Sequence, residues 1–328
     1  MAVIRWKQIL CLVALVVLAG CARQETGPVS PEQTSFPMTQ DYVLSLQAGN
    51  QTALLSGTLE DGTTIAGKEV RLSAPPVIVD DVFFIPLQDV VETIGGACVI
   101  QGETAQVELF GTDILYTIGS HTIILEGTAY PAEKERDAFL PYYKPIPGET
   151  AVPRWIDGVF YAASGFYAGD APGSWWLKRA DNDPEHNLVI LNYQLWDEIT
   201  VDGITVREDF TYQDLPQSTR ESFRKTEVLE GQRYDKAVYE GNGMTLYVMD
   251  GETEDYRDGN ICAIQVTEPG ILSPRGLQVG DAEARAGMLY GAAEAPINTA
   301  FHIDIAICDG AVISYTIYNR FWSPTFGE

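Results

Sequence analysis

The sequence predicts an α+β protein: antiparallel sheets with short packed helices, in two modules. Three observations lead there. The chain has 328 residues, of which 45% are hydrophobic and 20% charged. That length suits about two domains of roughly 100–200 residues each, and the apolar content is too high for wholesale disorder. Apolar residues alternate with polar ones in short runs bounded by Asp, Gly and Pro, as half-buried strands require. Two segments carry helix signals instead: Leu87, Val90, Val91 and Ile94 at i, i+3, i+4, i+7, and the run from Asp281 to Gly291.

The formal charge of −25 argues against nucleic acid as a partner, because phosphate binding needs clustered Lys and Arg. Three His and five Cys leave little material for transition-metal chemistry, and no cofactor is expected.

Residues 1–20 read as a signal peptide. Arg5 and Lys7 form a basic start, Ile9 to Val17 an apolar stretch too short to span a bilayer core of about 30 Å. Leu18-Ala19-Gly20-Cys21 then resembles the lipobox of bacterial lipoproteins. That resemblance implies lipidation of Cys21, which would become the new N-terminus. Losing Arg5 and Lys7 with no acid would take the formal charge from −25 to −27. The expected location is extracytoplasmic, with the membrane contacted through the lipid anchor. Residues 21–41, rich in Pro, Ser, Thr and Gln, read as a flexible tether.

The first module is expected over residues 42–195. Val70 and Leu72 alternate on one strand; Val77 to Val79 and Val82 to Ile85 flank a turn at Asp80-Asp81. Pro86 suits a first helical position, and Gly95-Gly96 a helix stop. Val99 and the run Val107 to Leu109 begin a hairpin with Gly102 at its turn. Ala74-Pro75-Pro76, the aliphatic strand, Phe84-Ile85-Pro86-Leu87, the helix to Gly95, and Gly102-Glu103-Thr104 resemble, in that order, the copper amine oxidase N-terminal-like domain. Ile118-Gly119 and the strand from Ile123 to Gly127 continue the resemblance. It implies a stalk module of the kind carried by secreted and surface proteins of Gram-positive bacteria. The family's second strand–turn–strand–helix copy is echoed at Asp157-Gly158-Val159-Phe160-Tyr161, with Ala162-Ala163 where Pro-Leu is expected, a short helix from Ser164 to Ala168, and a closing strand Leu188 to Leu191.

The oxidase chemistry itself is not expected. His121, His186 and His302 are isolated, and Asn192-Tyr193-Gln194 lacks the acid of the quinone motif.

The second module is expected over residues 196–328. Ile199 to Val206 is a hairpin around Asp202-Gly203, residues 214–225 a polar stretch with helical potential, and Met244 to Met249 pairs with Ile261 to Val266. Asp281 reads as a helix N-cap and Gly291 as the residue after its end. Phe301 to Ile307 and Val312 to Ile317 close the chain as a strand pair around Asp309-Gly310. Arg275-Gly276-Leu277, Val279-Gly280-Asp281 and Leu289-Tyr290-Gly291 resemble a helix-start motif of small α+β bacterial lipoprotein domains, which implies binding or scaffolding.

Three groups of candidate site residues remain. Asp250, Glu252, Glu254, Asp255 and Asp258 could gather oxygens around Ca²⁺, but Ile261 stands where an EF-hand needs a bidentate Glu, so a solvated loop is the better reading. Cys262 and Cys308 are the candidate disulfide. Alternation puts them on opposed faces, which favours two buried thiols, and Cys98 reads as a small core residue. Tyr142, Tyr143, Trp155, Trp175 and Trp176 could stack on a sugar or anchor a partner, or fill the core of the divergent half. The function expected from all this is a non-enzymatic binding or stalk role at the envelope, toward a cell-wall polymer or an envelope protein. The rivals are an envelope hydrolase with an acidic site and a Ca²⁺-responsive solute-binding protein.

Overall fold

The computed structural model describes residues 35–80, 82–131, 152–164, 181–183, 187–191, 198–207, 209–230, 235–249, 251–253, 256–297 and 300–319. All the described residues belong to one unit.

Strand β1 (Met38–Gln47) is the first strand among the described residues, and its first four residues fall within the segment read as tether. It pairs with β2 (Thr52–Leu59), which pairs with β3 (Thr64–Arg71). Then come β4 (Val77–Val79), β5 (Val82–Pro86) and helix α1 (Leu87–Thr93). The predicted stripe holds: Leu87, Val90, Val91 and Ile94 are all buried. An antiparallel meander follows: β6 (Ala97–Gln101), β7 (Thr104–Leu109), β8 (Thr112–Thr117), β9 (Thr122–Leu125) and β10 (Thr128–Pro131). Next are β11 (Arg154–Ile156), β12 (Val159–Ala163), β13 (Asp181–Asp183) and β14 (Leu188–Leu191). β14 closes the first sheet, in the order β13-β14-β1-β2-β3.

The sequence echo becomes a local two-fold. The hairpin β4–β5 turns at Asp80 (φ 53°), and β11–β12 turns at Asp157-Gly158 (φ 48° and 81°), the positive-φ pair that matches strand twist in a tight hairpin. β5 and β12 then join the hairpins into one sheet, β11-β12-β5-β4. Its register sets Phe84 against Ala163, Ile85 against Ala162 and Pro86 against Tyr161. The 77-residue offset from Asp80 to Asp157 carries Ile85 onto Ala162, so the axis runs through that pair. Ala163 therefore stands at the place of Pro86, one residue later than the sequence reading put it. Small residues are needed there, since Ala162 and Ala163 are fully buried against Ile85 and Phe84. The helix expected from Ser164 to Ala168 lies, beyond Ser164, outside the described residues.

The C-terminal part begins with hairpin β15 (Glu198–Val201) and β16 (Ile204–Arg207) around Asp202-Gly203, as expected. A 3-10 turn, η1 (Tyr212–Asp214), and α2 (Gln217–Ser222) lead into β17 (Arg224–Leu229), β18 (Lys236–Gly241), β19 (Met244–Met249) and β20 (Asn260–Val266). After α3 (Glu283–Tyr290) come β21 (Glu294–Pro296), β22 (Phe301–Cys308) and β23 (Ala311–Asn319). Seven of these strands form one antiparallel sheet, ordered β17-β18-β19-β20-β23-β22-β21.

This overturns the α+β expectation. The protein is β-rich, with antiparallel sheets and, among the described residues, α-helices of only six to eight residues. Such helices bury one stripe each, at the end of a sheet. They do not form a layer, which is what an α+β architecture needs. One core is shared by α1 and the three sheets of residues 38–191; the other is built on the seven-stranded sheet with α3 and the β15–β16 hairpin. No helix among the described residues is long and apolar enough to cross a membrane.

Candidate functional site

The two cores meet along the first sheet. One face of β1, β2 and β14, with Leu44, Leu46, Leu55, Val189 and Leu191, belongs to the first core. The opposite face carries Ser45 and Ser56, both buried, and Leu54, which packs into the second core.

The seam is built from backbone contacts and a few polar side chains. β2 and β3 slip register between Leu55 and Gly57, so Ser56 faces an extra residue of β3. Its hydroxyl accepts from the Gly67 N–H (2.8 Å) and donates to the Arg275 carbonyl (3.2 Å). Gly276 lies on the β3 backbone: a Cβ there would sit 2.5 Å from Ala66 C and Gly67 N, and its φ is +85°. Arg275 itself is 2% exposed. Its guanidinium donates to the carbonyls of Leu289 and Ile297, each at 3.1 Å, and lies over the Tyr290 ring. Leu289 is in the last turn of α3, where carbonyls lack helical partners and favour a cation. Burial pushes the Tyr290 hydroxyl up and the Arg275 charge pulls it back; that hydroxyl also meets Ser273 (2.9 Å) and the Arg275 N–H (3.3 Å).

Arg285 spans the seam from α3. It donates to the Gly67 carbonyl (3.0 Å), and pairs with Asp281 (3.3 Å) and Glu69 (3.5 Å). This corrects the reading of Asp281 as N-cap. The cap position is Ala282, without a side-chain cap bond, while Asp281 accepts from the Gln278 N–H and holds Arg285. Gly291 ends α3 at φ +80°, as expected. The motif singled out in the sequence is thus the seam.

Beside the seam opens a cleft of about 320 Å³. Its walls come from β1, β2, β3, the β15–β16 hairpin and the turn at 272–275. Three carboxylates line it: Asp41, Glu198 and Asp202. Asp41 accepts from the Thr58 hydroxyl (3.2 Å), at a place where β1 and β2 also shift register between Met38 and Tyr42. Glu198 pairs with Arg207 at 3.2 Å on the exposed rim.

Sequence reasoning did not name this cleft. Its two signals there were Asp202-Gly203 as a turn and Arg275 in the motif. The residues it did name are scattered. Leu18, Ala19, Gly20, Cys21, Tyr142, Tyr143, Trp175, Trp176, Asp250, Glu254 and Asp255 lie outside the described residues. Trp155 is on β11, 42% exposed, edge-on to Phe160 at 5.5 Å. Glu252 and Asp258 come together in the loop after β19: the Asp258 carboxylate accepts from the N–H groups of Glu252 and Thr253 and from the Thr253 hydroxyl. Those bonds, the Thr253 hydroxyl foremost, hold Asp258 below the usual carboxylate range. Its oxygens close a turn.

The cysteine pairing is corrected. Cys98, Cys262 and Cys308 are all free. β23 lies between β20 and β22, with Ala263 opposite Tyr318 and Cys308 opposite Ala311. Cys262 and Cys308 are therefore about seven or eight residues apart along β23, roughly 25 Å at about 3.3 Å per residue. No disulfide spans that distance. Cys262 is buried and its thiol donates to the Tyr247 carbonyl, whereas Cys308 is exposed, so the alternative of two buried thiols holds for Cys262 only. Cys98 is buried, and burial together with the Glu92 charge pushes its thiol up to about 12. Among the described residues, no group of three His, Cys, Asp or Glu is placed to hold a metal ion.

Asp89 of α1, itself buried, accepts from the N–H and hydroxyl of Ser73 and from the Ala74 N–H. Tyr161 of β12 donates to the Pro75 carbonyl at 2.7 Å. The Ala74-Pro75-Pro76 loop is thus clamped by α1 and β12. Residues 64–139 match the family model for the copper amine oxidase N-terminal domain, a non-catalytic domain. No curated protein and no solved structure matches the chain. The match begins at β3, yet β1, β2, β12 and β14 share the core of the matched segment.

Proposed function

We propose that this chain is a lipid-anchored extracytoplasmic protein with a non-enzymatic binding or stalk role at the cell envelope. The observation that carries the role is the seam. Gly276 against β3, the Ser56 hydroxyl shared between Gly67 and Arg275, and Arg285 on the Gly67 carbonyl tie the two cores together. A body built this way presents a fixed surface at the end of a tether. The non-catalytic domain matched at residues 64–139 supports the same reading. For the anchor, the support is the order of basic start, apolar stretch and Leu18-Ala19-Gly20-Cys21. Acyl chains at Cys21 would hold the protein to a membrane that its own charge opposes, each buried methylene contributing about 0.8 kcal/mol.

Metabolic labelling with an alkyne-tagged fatty acid tests the anchor. The full chain expressed in a bacterial host should take up label and sediment with membranes, and Cys21→Ser should do neither. A wild-type chain without label overturns the anchor. Release of soluble fragments from isolated cell walls by the purified lipidated chain overturns the non-enzymatic role.

A further inference from the structure

We propose that Glu294 and Asp304 form an acid-set clip, which fastens the edge strand β21 to β22 and through β21 steadies the hold on Arg275 at the seam. The clip is independent of the anchor at Cys21 and adds a control to the seam.

β21 has three residues and stands last in the seven-stranded sheet. The Ile305 N–H donates to the Ala293 carbonyl (2.7 Å) and the Ile297 N–H to the Phe301 carbonyl (2.9 Å). Alternation from these two bonded pairs makes Glu294 and Asp304, directly opposite each other, a non-hydrogen-bonded pair. Pairs of that kind have their Cα atoms only about 4.5 Å apart, with the side chains closer. Two charged carboxylates so placed repel, and like charges directly opposite weaken a ladder. A proton has one preferred place here. Glu294 accepts from the Tyr318 hydroxyl (2.7 Å), a bond that favours its charged form. Asp304 is partly desolvated; that burial first, and the Glu294 charge second, hold it above the usual carboxylate range. Once protonated, Asp304 is a donor facing the Glu294 carboxylate, and repulsion gives way to attraction.

Among the described residues, the other titratable groups beside the pair on this face are His302 and Tyr318, whose rings lie 5.7 Å apart. Thr316, opposite Asp304 on β23, is neutral. What the clip holds leads into the seam. β21 runs on to Ile297, whose carbonyl accepts from the Arg275 guanidinium at 3.1 Å, and the Arg275 carbonyl in turn accepts from Ser56. A carboxyl raised in this way binds its proton more tightly in the folded chain than in the unfolded one. The fastening is therefore complete below the usual carboxylate range and is lost as the pH rises through the Asp304 value.

Amide hydrogen exchange of the full chain, read by NMR as protection factors at about pH 4 and about pH 7, tests the clip. The Ile305 and Ile297 N–H groups should be about two- to fivefold better protected at the lower pH, the size expected of one exposed cross-strand charge pair. The amides of β18, at the other side of the sheet, should change less. Asp304→Asn keeps a donor facing Glu294 without the charge, so its β21 amides should be well protected at both pH values and lose the pH dependence. Glu294→Gln removes the repulsion and should lose the dependence as well. Both side chains are exposed, so neither variant should unfold. His302→Gln should keep the dependence. Equal protection of Ile305 at the two pH values, a dependence that survives Asp304→Asn or Glu294→Gln, one that His302→Gln abolishes, or an equal change in β18 overturns the clip. A response at Ile305 with none at Ile297 overturns its reach to Arg275. Each of those failures leaves the acyl label at Cys21 untouched, so the anchor and the clip stand or fall separately.

Discussion

The two faces of the first sheet solve the same problem by different means. Toward its own core, the sheet presents Leu44, Leu46, Leu55 and Leu191, and apolar burial holds it. Toward the second core, the same strands present Ser45, Ser56 and Leu54. There the contact is close backbone approach at Gly276 and shared hydrogen bonds at Ser56. A small apolar cluster of Val43, Leu188 and Ile190 fills the rest. The apolar face needs only residues of the right size. The polar face needs each donor and acceptor placed, because a buried group left without its partner costs more than the bond is worth. The cleft opens on this face, with Ser56 in its lining.

The largest effect should come from the apolar face. Leu44→Ala, at a residue with no exposure, should cost about 2–5 kcal/mol in urea unfolding. Val43→Ala on the opposite face removes less from a smaller cluster, and should cost about half as much or less. If Val43→Ala costs as much as Leu44→Ala, the two faces are not different in kind. Gly276→Ala comes next. Its backbone is in the left-handed region, a strain of about 1–2 kcal/mol for any other residue, and its methyl would press on Ala66 and Gly67. We expect a loss of about 2–4 kcal/mol in all, with faster hydrogen exchange at the Gly67 N–H.

The apolar face was legible in the sequence and the polar face was not. Alternation located β3 through Val70 and Leu72, the β19–β20 pair, the β22–β23 pair and the β15–β16 hairpin, and the stripe Leu87 to Ile94 located α1. These signals are local, and burial on one side writes them directly. The fold class failed because two helix signals were weighed as a layer, while α3 spans only eight residues and serves as a seam. The cleft could not be read at all. Ser56 meets Arg275 across 219 positions and Gly67 meets Arg285 across 218, and nothing in either neighbourhood names the other. What the sequence did hold was the motif from Arg275 to Gly291, whose residues make those contacts. Its form was visible, and its purpose required the partner strand.

Ser56→Ala tests the polar face more finely. It removes one hydroxyl and strands the buried Gly67 N–H, so about 1–3 kcal/mol should be lost in the same urea assay. A second variant, Ser56→Ala with Gly276→Ala, should lose less than the sum, because both act on the contact of Gly67 with residues 275–276. Strict additivity would mean that the hydroxyl and the glycine serve unrelated contacts.

The smallest effect should come from charge at the edge of the seam. Glu69 is 71% exposed and stands 3.5 Å from Arg285, so Glu69→Gln should change stability by under about 0.5 kcal/mol, and by nothing measurable in roughly 1 M salt. Arg285→Met should cost more than that, because it also takes a donor from the Gly67 carbonyl and a partner from Asp281. The order Glu69→Gln, then Arg285→Met, then Ser56→Ala follows depth in the seam and ignores formal charge. If Glu69→Gln instead rivals Ser56→Ala at low salt, ion pairing holds the cores together.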